Sequence, residues 1–200
     1  MTETETAPGP AAAENPRARV ERAALDLFTE RGFENVTSDE VADVAGISRR
    51  TFFRYFATKA DAVWGDFTDH VARLDGLLAA TDPAQPVLAS VWAAYVEVND
   101  YPEAELPLLR ERMQLILTEP ALLAHSQLRF AEVDRVVARH VATRTGSSPD
   151  DLVPRLVAAT TRAAATTAFE AWLADERSSL AGHLHTAFDE MAAGFPSLRP

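Results

Sequence analysis

Cysteine is absent from the 200-residue chain. That excludes disulfides, cysteine–zinc sites, iron–sulfur ligation and a thiol nucleophile. Lysine occurs once, as Lys59, against eighteen arginines, a bias that suits a high-GC genome. Long apolar runs are missing too: the uncharged stretch 83–96, between Asp82 and Glu97, is among the longest, and a membrane helix needs about 18 residues. The opening MTETETAPGPAAAEN has neither a basic region nor an apolar core, so no secretory signal is read there and a cytoplasmic chain is expected. Also wanting are a phosphate loop, Gly-x-Gly-x-x-Gly, His-Glu-x-x-His and Gly-x-Ser-x-Gly. The five histidines offer no metal set. His183 and His185 point to different sides of a helix, while Asp66 and His70 lack a third ligand and read as a solvated helix face. No enzyme, cofactor or metal is expected.

What is present is charge, unevenly spread. The net charge is −11, at first sight a poor match to a polyanion. Residues 1–16 carry three acids and no base, and residues 61–200 carry twenty acids against eleven bases. Residues 17–60 reverse the balance, with eight bases against seven acids. Within them, the window 46–59 holds Arg49, Arg50, Arg54 and Lys59 and no acid. Positive charge is thus gathered on one short element of an acidic chain.

The spacing of apolar residues is helical almost throughout. Residues 1–15 have little to bury and read as a disordered acidic arm. Asn15-Pro16 opens a first helix carrying Val20, Ala24, Leu27 and Phe28, and Gly32 ends it. Thr37-Ser38-Asp39-Glu40 is a capping box for a short second helix. Gly46 permits a tight turn, and Ser48 caps a third helix. Thr58-Lys59-Ala60-Asp61 opens a fourth helix. Further helices are expected near 59–80, 84–99, 103–118, 120–145, 150–175 and 179–193, separated by proline- and glycine-bearing breaks. The expected fold is all-α: a helix-turn-helix domain at 16–60 and a helical bundle at 61–200.

Helix, glycine-containing turn, helix is the geometry that enters a DNA major groove. Val41, Val44, Ile47, Phe52 and Phe56 can pack on the first helix, leaving Arg49, Arg50, Thr51, Arg54 and Tyr55 toward solvent or a groove. Arg49 and Arg50 can reach guanine edges. Thr37, Thr51, Tyr55 and Lys59 are donors suited to phosphates, and Ser48 is expected with them at the DNA surface.

The stretch AALDLFTERGFENVTSDEVADVAGISRRTFFRYFATKADAV, residues 23–63, resembles the TetR-type transcriptional regulators. It keeps their order of apolar first helix, Gly-aromatic, Thr opening the second helix, Ala-Gly-Ile-Ser turn, Thr-x-aromatic-x-Tyr-Phe and Lys. Phe53 stands where the family often has Tyr, so a hydroxyl contact to phosphate is lost there and the ring is expected to pack. SRRTFFRYFATKADAVWGDF, with the segment at 110–146, is similar to the regulators of mycofactocin gene clusters, which implies a long-chain acyl-CoA effector.

The resemblance implies a dimer on a pseudo-palindromic double-stranded DNA operator, with repression modulated by a small-molecule effector. The partner surface is expected on the last two helices, through the Ala- and Thr-rich segment 155–174 with Ala163 and Trp172, and the stripe Leu180, Leu184, Phe188 and Met191. The alternative is that both stripes are monomer core. Trp64, Phe67, Trp92, Tyr95, Met113, Phe130 and Phe169 are candidates for an effector pocket, with Arg110 available to an anionic head group or to nearby glutamates. A different class also fits the helices: a protein-interaction module without DNA binding.

Overall fold

The computed structural model describes residues 15–195; most of the expected acidic arm lies outside them. Among the described residues there are ten α-helices and no strand. The chain divides into two units, 1–65 and 66–200.

In the first unit, α1 (Pro16–Arg31) starts where the Asn15 side chain accepts from the Arg17 N–H at 3.0 Å. It stops at Gly32, whose φ of 81° a side chain would resist. A single 3₁₀ turn (Phe33–Asn35) sets the Phe33 ring edge-on to Phe28 at 5.0 Å. Then come α2 (Ser38–Val44), α3 (Arg49–Tyr55) and α4 (Lys59–Trp64). Helices of six or seven residues are marginal alone, so caps and packing must hold them. Thr37 and Glu40 form a complete capping box on α2, Thr58 and Asp61 another on α4, and Ser48 caps α3 through the Thr51 N–H at 3.1 Å. Val20, Leu25, Phe28, Val36, Val41, Phe52, Phe56 and Val63 are buried, and α1 packs against α2 and α4.

Two details depart from the periodicity. Val44 is 62% exposed rather than packed on α1. The helix expected over 59–80 is broken: Gly65 has φ 58° and ψ −137°, a region closed to other residues. Hence α4 belongs to the first unit, and the division falls five residues beyond the boundary expected after residue 60.

The second unit contains α5 (Phe67–Ala79), α6 (Val87–Val98), α7 (Leu106–Thr118), α8 (Pro120–Thr145), α9 (Leu152–Ala174) and α10 (Leu180–Ala192). α9 packs along α8 and α10, and α5 lies on α6 and α8. The common core holds Leu74, Leu78, Val91, Tyr95, Val137, Phe169, Trp172, Leu184 and Phe188. Polar links also join these helices. The Arg162 Nε donates to both carboxylate oxygens of Asp134 at 3.0 Å, joining α9 to α8, and Arg139 donates to Asp75 at 2.7 Å, joining α8 to α5. No helix among the described residues is long and apolar enough to cross a membrane.

Candidate nucleic-acid interface

The turn between α2 and α3 begins from backbone geometry. Gly46, at φ 66°, lets the chain reverse, and the Ile47 N–H reaches back to the Ala42 carbonyl at 2.9 Å. This seats α3 with Phe52 buried at 0% exposure and Phe56 at 2%. The two rings lie 5.7 Å apart, and the Arg17 guanidinium lies over Phe56 at 5.3 Å. With that face locked, Arg49, Arg50, Phe53 and Arg54 are left exposed on the same short helix.

The side chains expected to touch DNA do not share one state. Arg50 is exposed and makes no polar or ring contact among the described residues. Arg49 is held: its Nη1 donates to the Asp39 carboxylate at 2.8 Å, and its guanidinium lies 5.5 Å from the Phe53 ring centre. Arg54 donates to the Tyr55 hydroxyl at 3.2 Å, which leaves that hydroxyl's own proton for another acceptor. The Thr51 and Ser48 hydroxyls lie 2.9 Å apart. Thr37 is occupied by its cap, its hydroxyl donating to Glu40 at 2.9 Å. The Thr37 N–H and hydroxyl together hold the Glu40 carboxyl below its ordinary pKa.

The Lys59 ammonium, expected at a phosphate, donates to the carbonyls of Phe33 at 2.6 Å and Val36 at 2.9 Å, with the Phe33 ring 4.2 Å away, so that one of its three N–H groups is left over. The irregular link from α1 to α2 leaves these carbonyls without helical partners, and a cation satisfies both at once. One expectation is corrected. Phe53 does not pack away. Its ring is 43% exposed, edge-on to Phe52, on the surface that carries the arginines.

In the second unit the aromatic candidates are mostly packed against one another. Trp92 stacks on Phe188 at 5.5 Å, Tyr95 meets Phe188 edge-on at 6.0 Å, and Phe169 meets Trp172 at 6.2 Å. Phe67 and Met113 flank this core and Phe130 is half-buried, whereas Trp64 is buried and belongs to the first unit. Arg110 is half-buried and pairs with no glutamate among the described residues. It donates to the carbonyls of Trp172 at 2.8 Å and Asp175 at 3.2 Å and lies over the Trp172 ring at 4.0 Å. An open groove of about 570 Å³ runs elsewhere, between α8 and α9, with Arg135, Leu152, Arg155 and Leu156 among its walls.

Four of the six residues expected at a dimer surface are also relocated. Trp172, Leu180, Leu184 and Phe188 are buried within the chain, Met191 packs against them, and only Ala163 is exposed. The apolar surface of α9 is its other face, with Leu152 78% and Leu156 54% exposed.

Sequence reasoning passed over the pair His70 and Tyr101. His70 is not on a solvated face: its Nδ1 lies 3.3 Å from the Tyr101 hydroxyl, its ring stacks on Phe67, and burial pulls its pKa down to about 4. A stripe read on one helix could not show that a distant loop closes over it. Among the described residues no cluster of His, Asp and Glu fits a metal.

Comparison with known proteins decides what this arrangement is. Residues 22–62 match the family description "Bacterial regulatory proteins, tetR family", and residues 85–196 match "MftR C-terminal domain". The chain belongs to the TetR family. It is 41% identical over 175 residues to a Mycobacterium tuberculosis protein named as the mycofactocin biosynthesis transcriptional regulator MftR, covering 88% of each chain. Among solved structures, a TetR-family regulator from Syntrophomonas wolfei superposes with a TM-score of 0.64 at 15% identity, over 92% of this chain and 98% of that one. The Thermus thermophilus TetR-family repressor FadR, solved with lauroyl-CoA, gives 0.56 at 22% identity, over 92% and 96%. The TetR-family fold with an N-terminal helix-turn-helix domain is therefore established, and the chain is a non-enzymatic, DNA-binding transcriptional regulator.

Proposed function

We propose that the chain is a dimeric repressor that reads a pseudo-palindromic operator with α3 and is modulated by an acyl-CoA bound in the second unit. The observation that carries the DNA reading is the split of α3: Phe52 is fully buried while Arg49, Arg50 and Arg54 are exposed beside it. In this reading Arg50 and Arg49 approach guanine edges, and the exposed Phe53 ring offers an apolar contact suited to a thymine methyl. Thr51, Tyr55 and Arg54 face phosphates, with Ser48 and Thr37 serving as caps.

A partner subunit would meet the exposed face of α9 through Leu152, Leu156 and Ala163, because the stripe of α10 is consumed inside the chain. The acyl-CoA reading is supported by the MftR-type match and by the ligand of the Thermus thermophilus FadR structure. An acyl chain would lie among Phe67, Trp92, Tyr95, Met113, Phe130 and Phe169, parting rings that now touch. A coupling of about 1–3 kcal/mol between that site and α3 changes operator affinity about 5- to 150-fold.

The test is selection of duplexes from a randomised pool, followed by binding at several salt concentrations. A single enriched site whose affinity falls steeply with salt is expected. Replacing Arg50→Ala should cost about 1–3 kcal/mol and relax choice at one base position. No enrichment, or binding indifferent to salt, would refute the reading. Lauroyl-CoA should raise the melting temperature and alter DNA retention, while free coenzyme A and laurate do neither; equal effects of all three would remove the acyl-CoA assignment.

A further inference from the structure

The two adjacent arginines that open α3 differ in one respect: Arg49 is neutralised by an acid of the preceding helix, and Arg50 is not. The Asp39 carboxylate sits in the first turn of α2 and takes Arg49 Nη1 at 2.8 Å; the Phe53 ring flanks the same guanidinium. Both members of the pair are exposed, 68% and 52% by side chain, so the bond stands on the same exposed surface as Arg50. We infer that Asp39 is a specificity-determining positioning residue: it cancels the charge of Arg49 toward phosphates and holds its remaining donors for one base edge. This rests on the DNA-reading assignment of α3.

The physical basis is the difference between two kinds of contact. Phosphates recur along every duplex, so each unpaired cation strengthens binding to any sequence. A base edge is met through directed N–H groups, and an arginine with one nitrogen engaged keeps its Nε and its second terminal nitrogen for that purpose. Pairing Arg49 within the protein removes one cation from the indiscriminate attraction while leaving donors aimed by a fixed geometry. The Asp39 carboxylate also penalises a phosphate that would approach Arg49 directly, which is discrimination by a cost placed on the wrong partner. Arg50, unpaired, keeps its full charge beside it while reading its own base edge.

The full chain and its Asp39→Asn, Arg49→Ala and doubly substituted forms are titrated with two duplexes, across a salt series. One duplex is the sequence that the unsubstituted chain enriches from a randomised pool; the other is its shuffled counterpart. Asp39→Asn is expected to tighten binding to the shuffled duplex about 5- to 10-fold and to steepen the slope of log K against log salt by about 0.9, one further phosphate. Affinity for the enriched duplex should change less than about twofold, so the ratio between the two collapses by the difference. In the Arg49→Ala background the same substitution should leave the ratio unaltered. An unchanged ratio and slope in Asp39→Asn overturn the inference. So does an equal effect in the Arg49→Ala background, which would make Asp39 a bare surface charge. Should Asp39→Asn lower the melting temperature, Arg49→Lys tests the bond from the other side: it keeps the cation without the fork, and undiminished discrimination would be fatal. A parent chain that enriches nothing would remove the DNA reading itself, whereas an enriched site with an indifferent Asp39→Asn removes only the role of Asp39.

Discussion

Lys59 shows that a residue's type does not reveal all of its contacts. As the single lysine in a basic window it reads as a phosphate donor, yet its ammonium closes the link between α1 and α2 on two carbonyls. Lys59→Met keeps most of the stem but leaves both acceptors short of a donor. Loss of such a bond costs about 1–3 kcal/mol, and the expected outcome is a lower urea midpoint with an unchanged m-value. If stability holds and only DNA affinity falls, the clamp is not what the ammonium provides. Arg49 teaches the complementary point. Its exposure was legible in the spacing of Phe52 and Phe56, but its partner was not, because Asp39 is ten positions away on another helix.

At the scale of an element, signals that act within one turn were readable. The boxes at Thr37–Glu40 and Thr58–Asp61 form as their spacing dictates, since a cap involves only four consecutive residues. The break at Gly65 was missed because glycine inside an apolar helical pattern looks tolerable until its φ is known. Gly65→Ala must adopt φ 58° with ψ −137°, and strain of this kind costs about 1–3 kcal/mol. We expect the first unit to melt at a lower temperature, seen by circular dichroism. A matching Gly76→Ala change, in mid-helix with open space around a new Cβ, should stabilise α5 instead. His70 joins α5 to Tyr101, in the link between α6 and α7, and gives a pH signature. Its folded pKa, about 4, lies below the ordinary 6.5 because burial disfavours the charged ring. The unfolded chain therefore binds the proton first as pH falls. Stability contributed by His70 is complete above about pH 6.5 and is lost between there and about pH 4. His70→Phe should flatten urea midpoints over that window; an unchanged pH dependence would show that another group is responsible.

For the whole molecule, the acidic total and the basic window are reconciled by segregation: the unit that carries α3 holds the positive window, and the second unit holds most of the acid. The fate of two apolar stripes is also settled at this scale. The stripes on α9 and α10 were equally compatible with a core and with a partner, and the core takes Trp172, Leu180, Leu184 and Phe188. In the proposed dimer a second copy meets the outward α9 face, so Leu156→Asp should give a monomer by light scattering at micromolar concentration and weaken operator binding at least tenfold, about 1.4 kcal/mol or more. Leu184→Asp should instead unfold the chain. A dimeric Leu156→Asp protein would place the interface elsewhere.

The all-helical class, the cap positions, the tight turn at Gly46 and the exposed arginines of α3 were determined by sequence alone, because each depends on residues within a few positions of one another. Tertiary structure decided the occupancy of Lys59 and Arg49, the kink at Gly65, the burial of His70 and which apolar stripe is core. Those depend on groups brought together across ten to more than sixty residues, where a periodic pattern specifies that a face is buried but not what buries it.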